Sequence, residues 1–445
     1  MKTLAAGLSK AFYRFIPESL VVAIGLAVVT LLLAIIVEGE TPLSAITLWG
    51  DSVWSLLAFS MQIAMLLLTG YMLANTPPVD RALTAISSRI SNPRVAVAVI
   101  TFIGALGTWL NVGFGLVIGV VLARKMARTV PNLHYPLAVA GGYAGFSLYG
   151  IGLSGTIPLT IATPGHVLED QMGIIPTSET IFSPLVLATS VAVIVGLPLV
   201  MAALHPSADG PTKTFTEPAS EAPEDTDVDP DGNGKRSFAD TLNHSPVVGI
   251  VFGIIGLTYT VLYFTGGGGV NFDIINLVFL TLSIALFARP SAFMANLKAS
   301  AGVVSGVLVQ YPIYAGIMGV LAGSGLMITF AGLFVNISTA ESLPFFSFIS
   351  GGAINLLAPS GGAQWAVQGP IMVEAAQQMN ANSVATSLGV AYGDQWTNAI
   401  QPFWILPVLA ISGIKLREVM GYLFVVLIFL GIIYGASILI WGYLL

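Results

Sequence analysis

Residues 20–37 run for eighteen positions without a charge, close to the ~20 residues a helix needs to cross a ~30 Å hydrocarbon core. Comparable apolar runs cover residues 53–74, 137–164, 182–203, 246–264, 272–288, 300–322, 384–412 and 419–443. Only 9% of the chain is charged and 55% is hydrophobic, whereas a soluble domain is about 25% charged. So much apolar surface has no place in water. In lipid, backbone polar groups must be satisfied within the segment, which restricts such runs to helices. The chain therefore reads as an all-α polytopic membrane protein. The first run is read as a retained helix rather than a signal peptide, because no small-residue cleavage site follows it.

Two further apolar stretches, 95–122 and 344–373, carry polar, glycine-rich centres and read as re-entrant hairpins. The charges argue for this. With the N-terminus cytoplasmic and both stretches returning to the face they left, all sixteen Lys and Arg fall on one side. The other side holds acids alone, among them Glu38, Glu40, Asp51, Glu169, Asp170, Glu179, Glu341 and Glu374. That is the positive-inside pattern. Each half of 95–122 is taken as ~13 residues, roughly 20 Å and too short to span alone. The predicted architecture is about nine full spans plus two hairpins, with the C-terminus external.

Residues 204–245 separate the halves and read as an acidic, disordered cytoplasmic linker, with nine acids and three bases between 205 and 244. Its Asp227, Asp229, Asp231 and Gly232 imitate the start of a calcium loop, but Phe238 stands where the twelfth-position Glu belongs. Internal similarity is more telling. Gln62 and Gln310, Phe102 and Phe348, Gly113 and Gly361, Tyr143 and Tyr392, and Pro158 and Pro402 recur 244 to 249 residues apart. The chain thus divides into an N-terminal repeat (1–203), the linker, a connecting span (246–264) and a C-terminal repeat (265–445). Each repeat has a hairpin, an interrupted helix and an amphipathic piece (80–91 and 325–337). Five crossings separate the repeats, so the second is inverted. Inverted repeats with broken helices are typical of secondary transporters, whose sites lie near the midplane.

Four broken segments carry the chemistry: "TWLNVGFGLVIG", "INLLAPSGGAQWAVQGP", "YAGFSLYGIGLSGTIPLTIATPG" and "AYGDQWTNAIQPFWILP". Irregular backbone at membrane depth is tolerated where it is buried in protein or lines a cavity. A half-helix restarting after such a break offers free N–H groups and a dipole suited to an anion. The candidate substrate residues are Asn111, Gly113, Gly115, Ser154, Thr156, Asn355, Ser360, Gly361, Gly362, Gln364 and Gln368. Glycines such as Gly141, Gly142 and Gly145 read instead as helix packing. Asp394 is the one ionisable residue placed deep in a span, beside Gln395 and Asn398. Inserting an Asp at a helix centre costs ~2.5–3.5 kcal/mol. It is either satisfied structurally by neighbours or holds a proton or sodium ion. No metal site is expected, since His134, His166, His205 and His244 all lie near the ends of apolar runs and there is no cysteine. An enzymatic Ser360 lacks a histidine at membrane depth to activate it, and "GFGLVIG" has the wrong glycine spacing for a dinucleotide site.

The motifs "LNVGFGLVIG", "SGTIPLTIATPG", "QYPIYAGI", "APSGGAQWAVQGP", "AYGDQWTNAIQPFWILPVLAI" and "REVMGY" resemble the short-chain fatty acid transporter family of the AtoE type, within the ion-transporter superfamily. The resemblance covers nearly the whole chain. It implies a plasma-membrane secondary transporter of small monocarboxylates such as acetoacetate or butyrate, working by alternating access with H+ or Na+ and no bound cofactor. In related carriers, hairpin tips hold the carboxylate and sodium. By position this falls on Asn111 to Gly115 and on Asn355, Ser360, Gly361 and Gly362, while Asp394, Gln395 and Asn398 supply the ion site. The relatives' Ser-Asn-Thr tip motif is absent, and the family pattern admits Glu at Asp394, which leaves the ion open. The expected partners are the carboxylate and the bilayer, with a homodimer admitted and no nucleic acid. A carrier of dicarboxylates or amino-acid conjugates is the nearest alternative, and a polytopic membrane enzyme a more distant one.

Overall fold

The computed structural model describes residues 19–206, 212–215, 237–356 and 361–444, and every regular element among them is helical. The first helices are α1 (Ser19–Val37), α2 (Pro42–Ser52), α3 (Leu57–Ala74) and the amphipathic α4 (Pro77–Ser87). Next come α5 (Pro93–Leu110) and α6 (Val112–Thr129), with Asn111 alone between them. The first interrupted helix comprises α7 (Tyr135–Ala144), a 3-10 stretch (Gly145–Ile151) and α8 (Thr156–Ile161). The half closes with α9 (Glu169–Met172) and α10 (Pro184–Ala203). Then follow α11 (Phe238–His244), α12 (Pro246–Thr265), α13 (Phe272–Phe287) and α14 (Pro290–Ser300). The remaining helices are α15 (Ser305–Ser324), α16 (Leu326–Ile337), α17 (Leu343–Asn355), α18 (Gly361–Met379), α19 (Ser383–Thr397), α20 (Pro402–Ser412) and α21 (Leu416–Leu444).

Helix starts are locally encoded. Thr41, Asn92, Ser183 and Ser245 each precede a proline and accept a hydrogen bond from a backbone N–H in the first turn. A side-chain acceptor satisfies an orphan donor, and proline fits where an N–H would lack a partner. Seven of the described helical stretches are long and apolar enough to cross a membrane, α7–α8 counted as one.

Residues about equally far from Asn111 meet. A Cβ on Gly104 or on Gly119 would lie 2.7 or 2.6 Å from the same carbonyl, that of Gly142. The arms α5 and α6 are therefore antiparallel and the chain reverses at Asn111. Each arm has 18 residues, longer than the ~13 read from the sequence, and of the two only α5 is also apolar enough to count as a membrane-crossing helix. Glycines within both arms stay helical, and several of them allow close approach to the neighbouring backbone. The arms of α17 and α18 are also antiparallel: Gln364 Nε2 donates to Gly351 O and Gln368 Nε2 to Ser350 Oγ, each at 2.9 Å.

The close contact of hairpin and interrupted helix occurs twice. A Cβ on Gly104 would lie 2.7 Å from Gly142 O, and one on Gly351 would lie 3.0 Å from Val390 O. Gly145 packs on the backbone of Gly104 and Ala105, and Gly393 on that of Gly351 and Gly352. Thr189 and Ser437, 248 residues apart, share a 2.7 Å hydrogen bond between their hydroxyls.

The stretch 204–245 is not featureless. Ser237 and Asp240 form a capping box that opens α11, and residues 212–215 bond back to the helical body. A reciprocal cap and one aromatic side chain create order where average composition predicts none. Asp227, Asp229, Asp231 and Gly232 lie outside the described residues.

Candidate functional site

The two interrupted helices meet at their breaks. Gly150 N donates to Gln395 Oε1 at 3.0 Å, and Tyr143 Oη donates to Asn398 O at 2.7 Å. Each break has a sequence cause. Gly152 and Gly155 flank the extended link into α8, where a Cβ on Gly152 would collide with the Trp109 backbone. Pro402 starts α20 and cannot donate into the turn before it.

The tip of the first hairpin is held by its own polar atoms. Asn111, fully buried, caps α6 by accepting from Phe114 N and donates Nδ2 to Leu66 O, both at 3.0 Å. Gly113 lies against the backbone of Leu67 and Tyr71 on α3, and Gly115 against Thr108 on the other arm. Ser154 Oγ accepts from Val112 N at 2.8 Å, tying the tip to the first break. These four residues build the hairpin's seat, and none of the contacts described for them reaches Asp394.

The second hairpin delivers the rest. Asn355 Nδ2 lies within 2.8–2.9 Å of Asp394 O, Thr397 Oγ1 and Asn398 Oδ1. At the start of α18, a Cβ on Gly361 would lie 2.8 Å from Tyr149 Oη, 3.2 Å from Asp394 Oδ2 and 3.5 Å from Thr156 Cβ. One glycine thus brings together both interrupted helices and the second hairpin. Gly362 faces Tyr311 and Phe59. Gln364 and Gln368 bond to each other at 3.0 Å and link the arms. Ser360 lies outside the described residues.

The chemistry here is unusually unfinished. Tyr149 Oη, Asn355 Oδ1, Gln364 Oε1, Asp394 Oδ1, Gln395 Nε2 and Asn398 Nδ2 are all buried without a partner among the described residues. More than nine in ten buried polar groups in proteins are paired, and each orphan costs ~1–3 kcal/mol. Donors and acceptors are both among them, and Tyr149 Oη and the Asp394 carboxylate both lie beside Gly361. The N-terminus of α18 lies beside Tyr149 and Asp394, and the first N–H groups of a helix have no partner within that helix. Such an arrangement is suited to a small polar ligand together with a cation. Among the described residues, no cluster of three or more His, Cys, Asp or Glu offers a metal site.

One helical turn away, on both α8 and α18, lies a cavity of about 110 Å³. Thr160, Thr163, Phe59, Phe272, Trp365 and Ala366 are among its walls. Drug-sized sites run ~300–1,000 Å³, so this space suits a molecule of only a few heavy atoms.

Tyr149 was not singled out from sequence, because an aromatic in an apolar run reads as core. Only its spacing offered a hint: Tyr149 and Thr156 flank the glycines of one break.

Multiple membrane-length helices, broken segments packed at their breaks and a buried polar cluster around an acid define a multi-pass membrane transporter. Comparison with known proteins places it further. The short-chain fatty acid transporter family matches residues 1–441, and the chain belongs to that family. A protein of Escherichia coli K12 named as a short-chain fatty acid transporter is 36% identical over 422 residues, covering 95% of each chain. A Haemophilus influenzae Rd protein of the same name is 34% identical over 424 residues, 94% of each. Among solved structures, the Alcanivorax borkumensis YdaH transporter superposes with a TM-score of 0.65, covering 96% of this chain and 98% of its own. At 14% identity it speaks for the fold alone. The protein is a transporter, not an enzyme.

Proposed function

We propose that the protein carries short-chain monocarboxylates, of the acetoacetate or butyrate kind, across the cell's plasma membrane by alternating access coupled to H+ or Na+. The observation that carries this reading is the cluster of unpartnered polar atoms around Asp394 at the N-terminus of α18. A substrate carboxylate there would accept from the N–H groups at the start of α18, those of Gly361 and Gly362, and from Tyr149. Two carboxylates in one buried site repel, so a proton or sodium ion on Asp394 would accompany the substrate. The four broken segments contain no Lys or Arg, which favours one substrate carboxylate over two. The ~110 Å³ cavity would take a short apolar tail.

The recurring glycine contacts and the Thr189–Ser437 pair support two inverted repeats with hairpins entering from opposite faces. The charge distribution supports a cytoplasmic N-terminus and an external C-terminus. The exposed apolar face of α12, with Val247, Ile250, Ile254 and Val261, suits lipid or a second copy of the chain.

The test is uptake of labelled butyrate and acetoacetate into proteoliposomes under separately imposed sodium and proton gradients. Accumulation that follows one gradient and collapses with it is expected. No accumulation of any short carboxylate under either gradient would overturn the reading.

A further inference from the structure

Residues 212–215 lie inside the most polar stretch of the chain, yet they are tied to three helical elements. Lys213 N donates to His134 Nδ1 at 3.0 Å, and Tyr135 N donates to Lys213 O at 2.9 Å, so the strap runs along the start of α7. Lys213 Nζ sits 2.8 Å from Glu418 Oε1 in the first turn of α21. The Phe215 ring packs edge-on against Tyr135, with centroids 4.9 Å apart. The Arg124 and Arg128 guanidiniums of α6 each lie 5.9 Å from that ring, within cation–π range. Tyr135 Oη reaches on to Ser412 O at the end of α20, at 2.9 Å.

The imidazoles under this strap have defined roles. Because Lys213 N–H donates to it, His134 Nδ1 is an acceptor, so the ring is neutral and Nε2–H points at Tyr422 Oη, 3.0 Å away. The His134 backbone N–H donates to His205 Nε2 at 3.2 Å, which leaves His205 Nδ1–H for Pro206 O at 3.0 Å. Two neutral rings in series therefore each accept from a backbone N–H. A protonated imidazole has two donors and no acceptor.

We propose that residues 212–215 are a latch that clamps the ends of α6, α7 and α21 together on the linker face and opens when His134 or His205 takes up a proton. Protonation would set N–H against N–H at Lys213 or at His134 and break the chain of bonds. The released form binds more protons than the latched one, so latching is favoured at higher pH and lost on acidification. Among the described residues, the charged and titratable groups around the pair are Lys213 on the strap, Glu418 and Tyr422 on α21, Arg124 and Arg128 on α6, and Tyr135 on α7. Lys213 Nζ takes one oxygen of Glu418, Oε1, while Oε2 is buried without a partner among the described residues; the two imidazoles are the groups whose acceptor roles a proton removes. The latch joins α6 and α7 of the first half to α21 of the second. Under the alternating-access reading, it would hold the linker face shut at neutral pH.

The chain has no cysteine, so Thr214→Cys allows one spin label on the strap of the otherwise full-length protein in liposomes. Its mobility would be compared at about pH 8 and about pH 5, on either side of the ~6.5 of an ordinary imidazole. The label should be immobilised at the higher pH and freed at the lower. In His134→Asn/His205→Gln, amide oxygens can accept as the rings do but do not protonate, so the label should stay immobilised at both. Phe215→Ala should free it at both. A label mobile at pH 8 in the parent protein would overturn the latch. Immobilisation at both pH values, or a pH response that survives in the double variant, would overturn the histidine switch. None of these readouts needs a substrate, so their failure is distinct from failure of the transport proposal.

Discussion

Asp394 is the residue at which binding and coupling can be separated. Asn keeps the shape of Asp and, like its protonated form, offers one donor and one acceptor side, but holds no exchangeable charge. Asp394→Asn is expected to abolish gradient-driven accumulation, by tenfold or more, while substrate exchange across liposomes at equal concentrations persists. Unchanged accumulation would make the acid a purely structural group. Tyr149 offers the converse experiment. If its hydroxyl had no ligand, Tyr149→Phe would remove a buried orphan and leave transport alone or stabilise the fold. If the hydroxyl donates to a carboxylate, the loss is ~1.5–3 kcal/mol, and KM for uptake rises roughly 10- to 100-fold at little change in melting temperature. Asp394 was legible from sequence because an acid in an apolar run is costly. Tyr149 was not, because whether a hydroxyl finds a partner depends on tertiary contacts that periodicity does not encode.

At the scale of elements, the hairpins and interrupted helices work as matched pairs held by glycine. A Cβ on Gly145 would collide with the backbone of Gly104 and Ala105, and one on Gly393 with Phe348 O and Gly352 N. Backbone cannot move aside as a side-chain end can. Gly145→Ala and Gly393→Ala are therefore each expected to destabilise by at least the ~1–3 kcal/mol of ordinary overpacking, read as a lower melting temperature in detergent. Gly332, inside α16 with nothing near its would-be Cβ, is the control, and Gly332→Ala should melt no lower than the parent and, by helix propensity, be up to ~1 kcal/mol more stable. Equal melting of all three variants would contradict the packing described. The breaks themselves were legible, since clustered Gly, Pro and amides do not suit a lipid-facing helix. The hairpin arm lengths were not. The arms run from Pro93 to Thr129, past both ends of the 95–122 stretch read from sequence, and Gly113 and Gly119 within them are points where two backbones approach. Asn111 likewise stands at the tip as its neighbours suggest, with its amide spent on capping α6 and holding α3.

At the scale of the molecule, the strongest sequence signal was the distribution of charge, and it makes a claim about orientation that packing alone does not. Lys125 pairs with Asp80 of the amphipathic α4 at 2.8 Å, so α4 lies against the open end of the first hairpin, near the strap that covers Arg124 and Arg128. The open end of the second hairpin carries Glu341 and Glu374, with no Lys or Arg between residues 299 and 414. Under the positive-inside rule those two ends face opposite sides, so the two hairpins would enter from opposite faces. The linker's composition hid the strap because one phenylalanine among acids hardly changes an average. The charge map was legible because it sums over many residues. In this cysteine-free chain, Ser91→Cys before α5 and Glu341→Cys before α17 place single exposed thiols at the two open ends. A membrane-impermeant thiol reagent added to intact cells should label the position 341 thiol and spare the one at 91, and cell lysis should make the second reactive. Labelling of both from outside, or of the position 91 thiol alone, would break the inverted arrangement.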